Sequence, residues 1–265
     1  LQSSSAASDV YKRQGRSSVT CGMSYESDIL RNWYLLFHYG SPEEILEGVG
    51  FEAAGLPKGC LEFPVATVEL AGLEDPIGRA LDIGCAVGRS SLEMTKVADE
   101  VIGIDFSQSF VDVADEVSRG EAVSYHRYRE MHLSDSLQVR LPDGVQPERA
   151  SFEQGDAMNL RDDLGQFDLV HAANLLCRLT EPQIFLDRLP SLVSDGGTLV
   201  MATPATWMED YTPAKNRPQG LTLDYLKGHL SGTFELKQVV EVPFLIREHQ
   251  RKLQLSTSQA SIWTK

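Results

Sequence analysis

From Arg79 onward, short apolar runs of strand length alternate with segments of helical period. The pattern predicts strands near 79–83, 100–104, 150–154, 167–174 and 198–203, and helices near 90–97, 108–119, 180–192 and 222–231. Two further strands, near 234–242 and 252–263, fit an antiparallel pair. Strands that alternate with helices favour a parallel sheet with helices on both faces. We therefore predict an α/β fold with a doubly wound, mostly parallel sheet.

The chain before this region predicts a helical cap over residues 15–77. Between Tyr25 and Tyr39 apolar side chains recur every three or four residues on one helical face. Ser41-Pro42-Glu43-Glu44 then begins a second helix with a capping serine, a proline at the first position and a capping-box glutamate. Residues 1–14 are polar, small and aperiodic, and we interpret them as a non-native tail.

Residues 120–149 interrupt the alternation within the α/β domain, which we place at 78–265. This segment is polar, carries Tyr, His and Arg side chains at 125–129, and contains a Leu-Pro-Asp-Gly turn at 141–144. A loop of this length inside a compact domain is usually functional or mobile. We expect an insertion that forms a small hairpin near the edge of the functional site.

A glycine turn follows the first predicted strand of the domain, in Asp82-Ile83-Gly84-Cys85-Ala86-Val87-Gly88. Glycine tolerates positive φ and lets a ligand approach bare backbone, and the first turn of the next helix favours an anionic group. Asp105 stands at the tip of the next strand, where an acidic side chain can bind ribose hydroxyls. Together these residues indicate a cofactor that contains a nucleoside.

Charge and composition narrow the classes of partner. The chain has 24 basic and 38 acidic side chains, a net charge of −14, and a field of that sign repels nucleic acid and anionic membrane surfaces. A small zwitterionic or cationic substrate suits it better. The four cysteines lack metal or disulfide spacing and are interpreted as reduced thiols, which together with the lack of a long apolar run predicts a cytoplasmic protein.

The polar residues at the predicted strand ends resemble the motif set of class I S-adenosylmethionine-dependent methyltransferases over residues 78–205. The resemblance implies a seven-stranded Rossmann-like sheet and S-adenosylmethionine as the cofactor. The cofactor-binding residues that it implies are Asp82, Gly84, Cys85, Ala86, Gly88, Asp105, Phe106, Asp156, Ala157 and Asn174. Among these, Asp105 would bind the ribose, Asp156 the adenine amino group, and Ala157 and Phe106 the base. Ala86 departs from the family, which usually has glycine there.

A second resemblance covers the chain from about Tyr25 to Lys265. Segments such as Leu35–Glu44, Cys85–Ser91, Pro204–Trp207 and Val242–Glu248 are similar to the methyltransferase domain at the C-terminus of ovothiol synthases. This resemblance implies methylation of an imidazole ring nitrogen of 5-thiohistidine, also numbered 4-mercaptohistidine, to give ovothiol A. The selenium analogue is an alternative substrate. The iron-dependent sulfoxide synthase domain that normally precedes this domain is a candidate separate partner.

Several side chains are candidates for handling such an amino acid. A ring nitrogen must present a free lone pair, so a base or hydrogen-bond acceptor is needed, and the substrate carboxylate suits an arginine. The candidate catalytic residues are Asn174, Tyr39, His38 and His171, and the candidate substrate-binding residues are Tyr39, Arg178, Trp207, Arg247 and Glu248. Arg247 and Glu248 are adjacent in a strand and point to opposite faces, so at most one is expected in the pocket. We predict no metal site.

Alternatives remain open at this point. His171 fits a hydrogen-bonded core histidine as well as a catalytic one, and Trp207 fits ordinary packing. The whole chain fits a non-catalytic S-adenosylmethionine-binding subunit of a synthase, or a methyltransferase for another small molecule such as a quinone or phenol.

Overall fold

The computed structural model describes residues 27–265, and the interpreted tail at 1–14, Cys21 and the start of the predicted cap lie outside that range. Within it the helices are α1 (Asp28–Tyr39), α2 (Pro42–Leu46), α3 (Phe63–Glu69), α4 (Arg89–Met94), α5 (Gln108–Ser118), α6 (Pro182–Leu192) and α7 (Thr222–Leu230). The strands are β1 (Ile77–Ile83), β2 (Ala98–Asp105), β3 (Ser124–Glu130), β4 (Leu133–Gln138), β5 (Ala150–Gln154), β6 (Phe167–Ala173), β7 (Val193–Thr203), β8 (Glu235–His249) and β9 (Lys252–Thr264).

Seven of these strands form one sheet in the order β5-β2-β1-β6-β7-β9-β8. The five strands from β5 to β7 are parallel, and β9 runs antiparallel to both of its neighbours. From β1 the chain proceeds through β2 to β5 toward one edge of the sheet, whereas from β6 it proceeds to β7 toward the other edge. The strand order therefore reverses between β1 and β6. In an open sheet of this kind a ligand binds at the carboxyl ends of the strands, at that reversal. The predicted fold class is confirmed.

Two strands differ from the sequence prediction in extent. The Asp-Gly-Gly sequence at 195–197, predicted as a turn before the strand, lies inside β7, whose pairing with β6 shifts register there. Gly196 has a φ of 81°, so glycine lets the strand accommodate the irregularity without ending. β8 continues to His249, well beyond the predicted end near 242. The sequence 243–248 that resembles ovothiol synthases is therefore strand.

Helices cover both faces of the sheet and exclude water from it. Helix α1 buries Leu30, Trp33, Leu36 and Phe37 as its apolar period predicts, and Ser27 caps it by accepting a hydrogen bond from the Leu30 N–H. The predicted capping box of α2 is present in the structure. On the opposite face, a large core cluster joins β1, β6 and β7 to α6 and α7.

Strands β3 and β4 form the hairpin expected in the insertion. The hairpin packs on α1, where the Asn32 Oδ1 accepts a hydrogen bond of 2.9 Å from the His126 N–H. Arg127 is buried and donates to the Glu44 carbonyl at 3.0 Å, and it also pairs with Asp135 at 2.8 Å. No residue of 124–138 lines the cavity at the carboxyl ends of the parallel strands. These polar contacts hold the hairpin strands against α1 and α2. Residues 140–143 of the same insertion line a second pocket together with His38.

Gly88 provides a test of how tightly α4 packs on the sheet. A Cβ at this position would lie 2.8 Å from the Ala114 Cβ and 2.9 Å from the Phe152 ring, and the φ of 84° is left-handed. Gly88→Ala is expected to lower the free energy of unfolding by about 3 kcal/mol, which combines left-handed strain with overpacking. Urea unfolding measures the loss.

Gly120→Ala is the matched control for that variant. Gly120 has a φ of 71°, and a Cβ at this position would have no neighbouring atom within 4 Å. Only backbone strain of about 1 kcal/mol is therefore expected there. Equal losses in the two variants would contradict the packing argument.

Candidate functional site

The candidate site is a cavity of about 370 Å³ at the carboxyl ends of β1, β2 and β6. Its volume falls within the range that is usual for small-molecule sites, roughly 300–1,000 Å³. Its walls come from the glycine turn after β1, the residues after β2, β5, β6 and β7, and the helical segment before β1. The lining residues that bear on its chemistry are Phe37, His38, Phe63, Pro64, Asp82, Gly84, Cys85, Ala86, Asp105, Phe106, Asp156, Ala157, His171, Asn174, Arg178 and Tyr211.

The glycine turn is held open to the cavity by a hydrogen bond to β2. Gly84 has a φ of 79°, and Ala86 takes the left-handed region with a φ of 47°. The Ala86 N–H donates to the Asp105 Oδ2 at 2.9 Å. A non-glycine residue in the left-handed region costs about 1 kcal/mol or more. The hydrogen bond to the Asp105 carboxylate compensates for this backbone strain. Alanine is thus accommodated where the family usually has glycine.

Gly88 was expected to border the cofactor, and the structure corrects this. It does not line the cavity but caps α4. The space beside it is filled by Ala114 and Phe152. Glycine is required here for helix–sheet packing rather than for contact with a ligand.

Asp105, Phe106 and Asp156 bring the features of an adenosyl site together. The Asp105 carboxylate accepts from the Ala86 and Ser107 N–H groups, both at 2.9 Å, and faces the cavity. Phe106 is 71% exposed although it is a large apolar ring, which suits a surface that a flat base covers. Asp156 accepts from the Met158 N–H at 2.9 Å and also lines the cavity, beside Ala157. Bare backbone, a carboxylate that faces the cavity and an open aromatic face fit S-adenosylmethionine.

The Cys85 thiol lies in the same turn and remains protonated. Burial raises its pKa, and the carboxylates of Asp105 and Asp82 raise it further. The thiolate is the nucleophilic form of cysteine. The neutral Cys85 thiol is therefore a poor nucleophile and does not compete with a substrate for a methyl group.

Asp82 and His171 lie side by side on β1 and β6 and form part of the cavity wall. Each is 1% exposed. The Nδ1 of His171 lies 2.8 Å from Asp82 Oδ1, and its Nε2 lies 3.0 Å from Thr67 Oγ1 on α3. Because both ring nitrogens are engaged by protein groups, His171 has no nitrogen available for a substrate proton. The structure corrects the prediction of a catalytic His171 to a hydrogen-bonded buried histidine.

Asn174 stands at the end of β6 in a strained conformation, with a φ of 58°. Its N–H donates to the Ala202 carbonyl at 2.7 Å, and its Oδ1 accepts from the Ser258 hydroxyl at 2.6 Å. Strained backbone of this kind persists where the surroundings fix it and is common at functional sites. The side chain lines the cavity with its amide NH₂ as the remaining polar group.

His38 lines the cavity from the C-terminal end of α1. Burial lowers its pKa from 6.5 to about 3, and the positive charge of Arg89 acts in the same direction while Asp82 opposes both. The imidazole is therefore neutral at physiological pH. Its Nδ1 is buried and has no hydrogen-bond partner among residues 27–265.

Arg178 and Tyr211 lie together at the cavity wall, on the short helical turn after β6 and on the loop after β7. The Arg178 guanidinium carbon lies 4.5 Å from the centre of the Tyr211 ring. Thr212 fastens this loop by donating to the Leu179 carbonyl at 2.7 Å. Sequence reasoning missed Tyr211, although its place in the loop after a parallel strand is a signal that could have found it. It also missed Phe63.

Tyr39 and Trp207, both predicted as site residues, do not line this cavity. The Tyr39 hydroxyl donates to the Val87 carbonyl at 2.8 Å, and burial raises its pKa, so it braces the glycine turn as a neutral phenol. The Trp207 indole donates to the Thr222 hydroxyl at 2.9 Å and packs on the core beneath α7. Both rings serve the packing of the fold.

Arg247 and Glu248 are likewise absent from the cavity lining. Arg247 donates to the Ile45 and Glu47 carbonyls at 2.7 and 2.9 Å, and burial lowers its pKa to about 10, still high enough to keep it charged. Glu248 is 1% exposed and pairs with Lys252 at 2.7 Å. Neither lines the cavity, although one of them was predicted to bind substrate, because both side chains are engaged by other protein groups.

Residues 27–265 hold neither a metal-binding cluster nor a membrane-spanning helix. No group of three or more His, Cys, Asp or Glu side chains in that range could hold a metal ion. Nor is any helix there long and apolar enough to span a membrane.

Comparison with known proteins identifies the class. Residues 62–237, about two thirds of the chain, match the family model for a methyltransferase domain. No curated protein sequence matches the chain. The chain belongs to the methyltransferase domain family. With the adenosyl site described above, it is an S-adenosylmethionine-dependent methyltransferase.

Solved structures with the same fold share little sequence with it. The N-methyltransferase NodS from Bradyrhizobium japonicum, in complex with S-adenosylhomocysteine, is 13% identical with a TM-score of 0.52, over 89% of this chain and 98% of that one. The YcgJ protein from Bacillus subtilis is 12% identical with a TM-score of 0.52, over 76% and 97%. An S-adenosylmethionine-dependent methyltransferase from Methanosarcina mazei is 17% identical with a TM-score of 0.50, over 73% and 94%. These similarities concern the fold.

The lowered pKa of His38 gives a test of its burial. Between pH 6.5 and pH 3 the unfolded chain binds a proton that the folded chain does not, so stability falls as the pH falls. The loss is about 2 kcal/mol on going from pH 7 to pH 5. Because His38→Phe lacks this contribution, its free energy of unfolding is expected to fall by about 2 kcal/mol less than that of the wild type between pH 7 and pH 5. Urea unfolding at both pH values measures the difference.

His132→Phe controls for the removal of a histidine, because the His132 side chain is 73% exposed. It should follow the wild-type pH dependence of stability. If His38→Phe also follows the wild type, the His38 imidazole is not held neutral by burial.

Proposed function

We propose that this methyltransferase methylates an imidazole ring nitrogen of 5-thiohistidine and so forms ovothiol A. The observation that carries the proposal is the pairing of Arg178 with a neutral His38 in the walls of one cavity. A carboxylate and a ring N–H are the groups that such a pair recognises. The sequence segments that resemble the ovothiol synthase methyltransferase domain favour the same substrate. The selenium analogue offers the same ring and carboxylate.

The proposal divides the cavity into two ends. The cofactor end is formed by the turn at Gly84–Ala86 together with Asp105, Phe106 and Asp156. The acceptor end is formed by Asn174 and by residues outside the cofactor motifs, namely Phe37, His38, Phe63, Arg178 and Tyr211. Carboxylates at the cofactor end attract a sulfonium, whereas a guanidinium at the acceptor end attracts a carboxylate. A zwitterionic amino acid fits this distribution of charge.

Arg178 is suited to the acceptor's carboxylate because it is held in place before binding. Its contact with the Tyr211 ring, at 4.5 Å, restricts a side chain that otherwise has many rotamers. A planar guanidinium grips a carboxylate through two parallel hydrogen bonds. Because the group is already ordered, less entropy is lost when the substrate binds.

His38 and the aromatic rings suit the imidazole. Phe37 and Phe63 lie with ring centres 5.9 Å apart and provide a flat apolar wall. With its pKa near 3, His38 accepts a hydrogen bond from a ring N–H but does not take up the proton. Holding that N–H fixes the tautomer, so that the lone pair of the other ring nitrogen points away from His38. The Asn174 amide adds a hydrogen-bond donor beside it.

Catalysis here is chiefly positioning. When bound, S-adenosylmethionine supplies an electrophilic methyl carbon, and the reaction is an in-line displacement by the ring nitrogen. The chain's own contribution is to orient the acceptor at both of its polar ends and to exclude water with Phe37, Phe63 and Tyr211. Orientation of this kind is among the largest sources of rate acceleration in bimolecular transfers.

The direct test is incubation of the purified chain with S-adenosylmethionine and 5-thiohistidine. A product heavier by one methyl group and an equal amount of S-adenosylhomocysteine are expected. Histidine, which offers the same carboxylate and imidazole without the sulfur, is the matched acceptor, and faster methylation of histidine would contradict thiohistidine as the substrate. Methylation of a phenol or quinone but not of thiohistidine would assign another small molecule as substrate. Tight S-adenosylhomocysteine binding without turnover on any acceptor would favour a non-catalytic subunit.

Removal of the carboxylate from the substrate tests Arg178. A decarboxylated acceptor, 5-thiohistamine, is expected to have a kcat/KM lower by about 10- to 100-fold, the range for lost hydrogen bonds to a charged group. Arg178→Gln should lower kcat/KM for thiohistidine by a similar factor and leave that for thiohistamine nearly unchanged. Tyr211→Leu should cause a smaller loss of about 5-fold, and Tyr211→Phe, which retains the ring, almost none.

The dissociation constant of S-adenosylhomocysteine is the control for these variants. It is expected to stay at the wild-type value. If Arg178→Gln weakens cofactor binding and leaves the preference for a carboxylate intact, Arg178 belongs to the cofactor end and the proposed orientation of the acceptor is wrong.

A further inference from the structure

Four buried polar groups form one hydrogen-bonded row along the wall of the cavity. The Ser91 hydroxyl on α4 donates to the Asp82 Oδ2 at 2.7 Å. The Asp82 Oδ1 lies 2.8 Å from the His171 Nδ1, and the His171 Nε2 lies 3.0 Å from the Thr67 Oγ1. Thr67 in turn lies 3.2 Å from the Pro64 carbonyl, to which its hydroxyl donates. We call this the Asp82–His171–Thr67 row.

The row joins the two ends of the cavity. Asp82 lines the cavity two residues before Gly84, at the cofactor end. Thr67 lies on α3, whose first residues, Phe63 and Pro64, line the acceptor end. His171 lies on β6 between them, paired directly with Asp82 in the sheet. The row therefore runs along the cavity wall from the cofactor end to the acceptor end.

The groups in the row have little freedom to move independently. Ser91 and Thr67 are fully buried, and Asp82 and His171 are each 1% exposed. Both carboxylate oxygens of Asp82 and both ring nitrogens of His171 are used. Interiors pack as densely as organic crystals, so a rotation of the Asp82 carboxylate requires a rotation of the imidazole. Hydrogen bonds in such a low-dielectric row also reinforce one another.

We infer that His171 is a positioning residue that couples cofactor binding to the order of the acceptor wall. A cofactor that contacts Asp82 and the adjacent turn fixes the carboxylate, which fixes the imidazole and through Thr67 the first turn of α3. The acceptor then meets an ordered Phe63 and Pro64, and so loses less entropy on binding. This coupling rests on the cofactor and acceptor ends given in the proposed function, but it does not depend on which acceptor is methylated.

Two substitutions of His171 separate the halves of the row. Asparagine places an amide N–H near the position of Nδ1, whereas glutamine places a polar group near Nε2. His171→Asn is therefore expected to retain the wild-type dissociation constant for S-adenosylhomocysteine, and His171→Gln to raise it by about 10-fold, as titration calorimetry would measure. Equal weakening by the two variants would contradict the directional role. Thermal unfolding with and without S-adenosylhomocysteine confirms that each variant is folded.

Thr67→Val tests the contact between His171 and Thr67, because valine has nearly the shape of threonine but lacks the hydroxyl. Thr67→Ser, which retains the hydroxyl, is its matched control. In the wild type, S-adenosylhomocysteine should slow amide hydrogen exchange in residues 61–69 by about 5-fold, a typical coupling between sites. That slowing should persist in Thr67→Ser and disappear in Thr67→Val and His171→Asn, with cofactor affinity unchanged. This readout requires no acceptor, so it stands if thiohistidine is not the substrate.

With a reactive acceptor, the same variants should separate KM from kcat. Thr67→Val is expected to raise KM for the acceptor about 5-fold with kcat within about 2-fold of the wild type, consistent with a lost coupling. If S-adenosylhomocysteine protects residues 61–69 equally in the wild type and in Thr67→Val, the row is structural only and the inference is wrong. If protection behaves as expected but thiohistidine is not methylated, only the proposed function fails.

Discussion

The site depends on the hydrogen bond by which the Asp105 carboxylate accepts the N–H of Ala86. This contact fastens the turn after β1 to the end of β2 and stabilises a left-handed alanine that would otherwise favour another conformation. The turn's backbone, the Asp105 carboxylate and the exposed Phe106 thereby share one wall of the cavity. The remaining walls come from α1, α3 and the loops after β6 and β7, which we propose as the acceptor end.

Most of the fold could be predicted from the sequence because its local signals agree with one another. The apolar runs of β1, β2 and β6 are buried strands, the capping box of α2 is present, and the last two strands pair as expected. The residues of the proposed cofactor end could be predicted equally well, since the carboxyl ends of parallel strands meet at one edge of the sheet whatever the details of packing. Asp105, Phe106 and Asp156 line the cavity for that reason.

The acceptor end was harder to predict because it is built from segments far apart in the chain. Tyr39, Trp207 and Arg247 have the chemistry of site residues, yet each turns to a backbone carbonyl or a hydroxyl elsewhere. An apolar or charged side chain does not reveal from its type alone which way it points. Phe63 and Tyr211 reach the cavity only through the docking of α3 and of the loop after β7, which are tertiary contacts without a local pattern.

The most direct test of the proposed site is a crystal structure of the chain with S-adenosylhomocysteine and 5-thiohistidine. We expect the ribose at Asp105, the base against Phe106, the amino acid's carboxylate on Arg178, and one ring nitrogen hydrogen-bonded to His38. The other ring nitrogen should face the cofactor sulfur across the space of one methyl group. Adenosine bound away from Asp105, or an amino acid whose ring points away from the sulfur, would contradict it.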